Sequence, residues 1–169
     1  GNITEEMSFI AQKEDLSEEF VREKVAQGRI VILKNNQRKN SIPVAVGEGV
    51  SIKINANIGT SNERSTLEQE LDKVRVIEQT GADVLMDLST GSNIDEVRRK
   101  IIASTTLPIG TVPMYQAGKE ALDEHHNIAK LSKDKLFADI EKQCRDGVDF
   151  ITVHCGVTKF VIDQLERQG

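Results

Sequence analysis

From Val50 onward the sequence repeats one alternation four times, a short apolar run followed by an amphipathic segment with helical spacing. Val50–Asn57 reads as the first strand. Ser65-Thr66-Leu67-Glu68 matches a capping box and opens a helix with Leu67, Leu71, Val74 and Ile77 on one face, stopped at Gly81. Ala82–Leu88 is the second strand, and a helix carrying Ile94, Val97 and Ile101 follows it. Leu107–Met114 is the third, broken at its end by Pro113. A further helix is expected to turn Leu136, Phe137, Ile140 and Cys144 inward, and Asp149–His154 is the fourth strand. A last helix holds Val161, Ile162 and Leu165. Strands that alternate with helices are joined by crossovers, which predicts a parallel sheet covered by helices.

Equivalent points of the repeat lie 29 residues apart twice and then 39 residues apart. A (β/α)8 barrel averages roughly 30 residues per unit. The expected fold is therefore α/β: the first half, about four βα units, of a (β/α)8 TIM-type barrel, with residues 49–169 supplying strands 1–4. Residues 1–48 form a short N-terminal lead-in of helix and strand. In it, Ser17 caps a helix running to Ala26 and stopped at Gly28; Arg29–Leu33 reads as a strand, Asn35–Asn40 as a polar loop and Pro43–Gly47 as a second short strand. An open flavodoxin-like sheet is the alternative. It calls for a glycine-rich phosphate loop after the first strand, of which Asn57-Ile58-Gly59-Thr60-Ser61 is a faint version, and no Walker or dinucleotide fingerprint is present.

A formal net charge of -5, with both signs interspersed, lacks the basic footprint of a nucleic-acid binder. No apolar run is long enough to span a bilayer, and Gly1–Glu6 has no basic region followed by an apolar one, so a cytoplasmic protein is expected. Cys144 and Cys155 make no disulfide framework and have no Cys-x-x-Cys spacing.

In folds of this class ligands sit at the C-terminal ends of parallel strands. Reading those ends in turn selects Asn57, Met86, Tyr115 and His154 as a substrate-binding set, three hydrogen-bonding groups and one soft apolar surface, suited to a flat polar heterocycle bearing a sugar. Each has a plain structural use as well: an Asx turn for Asn57, core filling for Met86, one buried hydroxyl contact for Tyr115. His154 stands out, because a histidine ending an apolar strand before Cys155-Gly156 is poorly explained by packing. Asp87 reads as an anchor for Ser89, Thr90 or a nearby amide, His125-His126 as a solvated helix end, and Cys144 as core. No residue is assigned as a catalytic group or as a metal ligand.

Four blocks carry a resemblance: Lys53–Gly59, Met86-Asp87-Leu88-Ser89-Thr90-Gly91, Pro108–Ala117 and Thr152-Val153-His154-Cys155-Gly156-Val157. In order and spacing they resemble the signature blocks of the phosphomethylpyrimidine synthase family, as do Ile3–Met7 and Glu19–Arg22 near the start. The resemblance implies a radical S-adenosylmethionine enzyme that rearranges aminoimidazole ribotide to hydroxymethylpyrimidine phosphate for thiamine, using a [4Fe-4S] cluster and zinc. It implies that Asn57, Met86, Tyr115 and His154 line the ribotide site, orienting a substrate on which the cofactor performs the hard chemistry.

The family continues with a Ser-Arg-Gly-Gly stretch for the substrate phosphate, two zinc-ligand histidines and a Cys-x-x-Cys-x4-Cys cluster motif, none of which occurs in this sequence. The expectation is a truncated or cleaved piece, or a half-barrel completed by the remainder of the polypeptide or by a homo-oligomer, inactive when isolated. Where the family has Ile-Pro-x-Asn-x-x-His, this chain has Ile32-Leu33-Lys34-Asn35-Asn36-Gln37-Arg38. That departure raises the paralogue 5-hydroxybenzimidazole synthase, which uses the same ribotide for the lower base of a cobamide. A non-catalytic half-barrel binding module is the remaining alternative.

Overall fold

The computed structural model describes residues 1–61 and 65–168. The lead-in folds around its own small core. Thr4 caps helix α1 (Glu5–Glu14), its hydroxyl accepting from the Met7 amide at 3.3 Å. The apolar residues of this helix, Met7, Phe9, Ile10 and Ala11, make no continuous stripe, and pattern reading does not find it. Tertiary packing holds it instead: Ile10 and Ala11 are buried with Val21, Ile30 and Ala45. Ser17 caps α2 (Glu18–Ala26) as expected, and β1 (Ile30–Leu33) pairs antiparallel with β2 (Val44–Gly47). A shielded ion pair, Lys53 Nζ to Glu14 Oε1 at 2.8 Å, ties α1 to the segment that enters the main sheet.

The main sheet has four parallel strands, β3 (Asn55–Ile58), β4 (Val84–Asp87), β5 (Ile109–Thr111) and β6 (Phe150–Ile151), in the order β3-β4-β5-β6. Helix α3 (Leu67–Thr80) joins β3 to β4, and α4 (Ile94–Ser104) joins β4 to β5. Between β5 and β6 run α5 (Pro113–His125), a 3-10 turn at Ile128–Lys130 and α6 (Lys133–Asp146); α7 (Lys159–Gln168) follows β6. Ile58, Leu85 and Ile109 meet Val74 of α3 and Val97 and Ile101 of α4 in one core, and Thr111 donates to Gln143 of α6 at 2.6 Å on that same side. Sequential strands with these helices on one face are a singly wound sheet. A flavodoxin-like sheet reverses its strand order and covers both faces, so that alternative is excluded.

Several local expectations shift. The strands are shorter than the apolar runs: β3 begins at Asn55, where pairing with Val84 begins, and Ile52 and Ile54 before it are exposed. The capping box sits one residue later than expected, with Thr66 as cap and Gln69 returning the bond. Both Ser65-x-x-Glu68 and Thr66-x-x-Gln69 fit the motif; Ser65 is otherwise engaged, accepting from the Ser61 amide and donating to the Gly59 carbonyl. Gly81 ends α3 at a φ of 80° as expected.

The face of α6 is also corrected. Phe137 and Cys144 are exposed and Leu136 and Ile140 half-buried, whereas Asp139 and Gln143 are buried. The reason is a polar interface with α4 and α5. Arg98 Nη1 and Gln143 Nε2 both donate to Gln116 Oε1, at 2.8 and 3.0 Å, and Gln116 Nε2 donates to Asp95 Oδ1 at 2.7 Å. Partial burial of Asp95 opposes its charge, but hydrogen bonds from Gln116, Lys142 and Arg98 outweigh it and hold the carboxyl well below the usual range. Val161, Ile162 and Leu165 of α7 are exposed.

The polar loop after β1 reaches the N-terminal end of the sheet. Asn35 Nδ2 donates to the carbonyls of Cys144 and Val148 at 2.8 and 2.7 Å, and the Arg38 guanidinium donates to those of Ile102, Thr105 and Leu107. A cation at the C-terminal end of α4 satisfies carbonyls that the helix leaves open.

Candidate functional site

Helices cover one face of the sheet; Asn57 and Met86 lie on the other. Alternation along a strand sends successive side chains to opposite faces. The register aligns Asn57 with Met86, Met86 with Gly110, and Gly110 with Phe150, so these four share a face opposite to Ile58, Leu85 and Ile109. Asn55 lies on it too, donating to Asn57 Oδ1 at 3.3 Å. Two residues beyond Phe150, Thr152 brings its hydroxyl to 4.0 Å from the Met86 sulfur. Two residues further, the His154 ring stacks on Tyr115, with centroids 6.2 Å apart and planes 29° apart. Asn57 and Met86 are thus neighbours on one face, Met86 meets Thr152, and His154 meets Tyr115.

Tyr115 does not arrive from a strand end. Pro113 does not merely break β5; it opens α5 at a position where its missing N–H costs nothing, and Tyr115 lies in that helix's first turn. Its neighbour Gln116 is buried in the polar interface with Asp95, Arg98 and Gln143, which fixes the start of α5 and with it the tyrosine. His154 likewise lies three residues past the end of β6. Asn57, Tyr115 and His154 are exposed and Met86 is half-buried.

Asp87 points to the helix side. Its Oδ1 accepts from the Ser89 amide at 3.0 Å and hydroxyl at 2.5 Å, and burial pushes its carboxyl above the ordinary value. It anchors the loop after β4, as expected. His125 and His126 end α5, exposed to solvent, with His126 as its left-handed cap. Two hollows lie elsewhere, one of about 560 Å³ beside Asn35 and Cys144 and one of about 500 Å³ beside Asp95 and Glu120, while one of about 450 Å³ is lined by Asn57 with Val76 and Ile77. Phe150 and Thr152 escape a reading that takes only the last residue of each strand. Stepping back by twos from His154 would have found both.

All 169 residues match the description of the radical SAM ThiC family. The chain belongs to that family. It is 47% identical over 169 residues to the phosphomethylpyrimidine synthase of Syntrophus aciditrophicus, covering all of this chain and 40% of that protein. It is 49% identical over 167 residues to the one from Carboxydothermus hydrogenoformans, covering 99% of this chain and 39% of that protein. With the Methanocaldococcus jannaschii protein of the same name the identity is 45% over 169 residues, again all of this chain and 39% of the relative. The chain therefore spans about two fifths of the length of the curated relatives it matches.

The residues of this family member that are described here do not fit an iron–sulfur cluster or a zinc ion. Among them no group of three or more His, Cys, Asp or Glu residues could hold a metal, and both cysteines are free and exposed. Nor is any described helix long and apolar enough to cross a membrane.

Proposed function

We propose that these residues form the ribotide-holding part of a phosphomethylpyrimidine synthase, the enzyme that converts aminoimidazole ribotide to hydroxymethylpyrimidine phosphate. The observation that carries the reading is that Asn57 and Met86 are partners on the face that the helices leave bare, that Thr152 meets Met86, and that His154, two residues further, stacks on Tyr115. Asn57 and His154 supply hydrogen-bonding groups for the amino and ring nitrogens of the imidazole, Met86 an apolar contact, and Tyr115 a ring wall with a hydroxyl. Their work is orientation, since a bound substrate held in one pose needs little reorganisation to react.

The same reading makes the singly wound sheet the first four strands of a (β/α)8 barrel, with residues 1–48 as its lead-in and the bare face as its lumen. Edges of β3 and β6 are then covered by further strands of the same polypeptide or by a second copy. S-adenosylmethionine, the cluster and zinc belong, on this proposal, to parts of the enzyme outside these residues, and the enzyme works in the cytoplasm. The departure at Arg38 has a structural account, because its guanidinium binds carbonyls at the N-terminal end of the sheet, away from His154. It therefore gives no support to the hydroxybenzimidazole product.

Product analysis with the full-length protein, reduced under anaerobic conditions with ribotide and S-adenosylmethionine, tests the assignment. Hydroxymethylpyrimidine phosphate is expected. Hydroxybenzimidazole would transfer the chain to the cobamide branch, and no turnover together with tight ribotide binding would leave a binding module.

A further inference from the structure

We propose that Phe150, seated by Gly110, is a specificity-determining residue that forms the floor against which the planar base of the ligand packs. The inference rests on the reading above that the bare face takes a ribotide. Gly110 and Phe150 are register partners on β5 and β6, and Gly110 is likewise the partner of Met86 on β4. A Cβ on Gly110 would stand 2.2 and 2.3 Å from Cε2 and Cζ of the Phe150 ring, and 2.8 Å from Cδ2. No real side chain tolerates such contacts, so the ring lies over the glycine, filling the place where a side chain of β5 would stand.

The consequence is an apolar surface running from Met86 to Phe150 across three strands, on the side away from the helix-covered core. Phe150 is only half-buried there, although its neighbour Ile151 packs into the core. Polar groups border this surface: Asn57 continues the row at one end, and Thr152 and His154 follow Phe150 along the chain. An apolar aromatic floor with polar groups at its margin suits a flat heteroaromatic ring, whose face seeks apolar contact while its edge seeks hydrogen bonds. It has nothing to offer a ribose phosphate. Gly110 and Phe150 thus select for the base, and their loss is felt only by ligands that have one.

Isothermal titration of the full-length protein with aminoimidazole ribotide and with ribose 5-phosphate separates these roles. Phe150→Leu keeps an apolar side chain but removes the ring; Gly110→Ala keeps the ring but displaces it. Each is expected to weaken ribotide binding roughly tenfold, with ribose 5-phosphate binding unchanged. Equal losses for both ligands, or no loss for the ribotide in either variant, would overturn the role of Phe150. A parent protein that binds no ribotide would remove the underlying functional reading, and this inference with it. Circular dichroism of each variant confirms that it is folded before its affinity is compared.

Discussion

Arg38 and Asp149 form an ion pair, 2.6 Å from Nη1 to Oδ2, with side chains only 3% and 0% exposed. Asp149 stands at the start of β6 and also accepts from the amides of Asn35 and Ile109 and the hydroxyl of Ser41, at 2.9, 2.8 and 2.9 Å. One carboxylate thereby joins the lead-in loop, β5 and β6. Attraction between buried charges roughly offsets their loss of hydration, but a stranded partner is expensive.

Arg38→Met is accordingly expected to cost about 3–5 kcal/mol, since it leaves the Asp149 charge buried without its counter-ion. Adding Asp149→Asn to that variant is expected to restore part of the loss. The amide oxygen can keep the bonds that Oδ1 accepts from the Asn35 amide and the Ser41 hydroxyl, the Ile109 amide loses its acceptor, and no charge is stranded, so the recovery is partial. Urea unfolding of the two variants checks both statements. A double variant less stable than Arg38→Met would show that the carboxylate acts through its hydrogen bonds alone.

Asp87 gives the fold a pH dependence of opposite sign to that of an ordinary salt-bridged acid. Burial raises its folded value above the usual 3.8, against the lowering effect of its bonds from Ser89. The folded state therefore holds the proton more tightly than the unfolded chain. The stability this contributes is fully present below about pH 3.8 and is lost as pH rises through the higher folded value. Asp87→Asn keeps an acceptor for both Ser89 donors and carries no charge. It is expected to equal or exceed the parent in stability at neutral pH and to remove this component of the slope, read from melting temperatures across the acidic range.

Thr66, not Ser65, is expected to carry the cap of α3. Thr66→Ala should cost about 1 kcal/mol through the loss of the bond its hydroxyl accepts from the Gln69 amide. Ser65→Ala should instead loosen the link from Gly59 and Ser61. Comparison of amide exchange in the first turn of α3 distinguishes them, because only the Thr66 change should speed exchange at Gln69.

This cap illustrates what was legible in the sequence and what was not. The four-fold strand and helix repeat, the apolar face of α3 and the stop at Gly81 are local patterns, and all are present in the fold. The choice between two overlapping capping boxes depends on where Ser65 is needed, which no local pattern states. The inward face of α6 failed for a similar reason. Its apolar residues form a clean stripe, yet Arg98, Gln116 and Asp95 on neighbouring helices present polar groups, and α6 turns Asp139 and Gln143 toward them. At the candidate site, Asn57 and Met86 were selected as strand ends, and the register sets them side by side. Tyr115 was expected at a strand end, whereas a helix start places it, and Phe150 was not singled out because it is not the last residue of its strand.

The stacking of Tyr115 on His154 makes the most direct test of the candidate site. The two residues come from different elements, the first turn of α5 and the segment after β6, so nothing local holds the rings together. If both face one ligand, Tyr115→Ala and His154→Ala should each weaken ribotide affinity of the full-length protein by about 1–3 kcal/mol, the cost of leaving a polar partner unpaired. Their effects should not add. A double variant should fall short of the sum by about 0.5–1.5 kcal/mol, the range of an aromatic pair, because removing one ring already releases the other. Tyr115→Phe keeps the stack and loses only the hydroxyl, so it should retain the coupling to His154 while losing part of the affinity. Titration of the four proteins with ribotide closes the cycle. Additive losses would mean that the rings act separately, and affinities unchanged in both single variants would remove Tyr115 and His154 from the site.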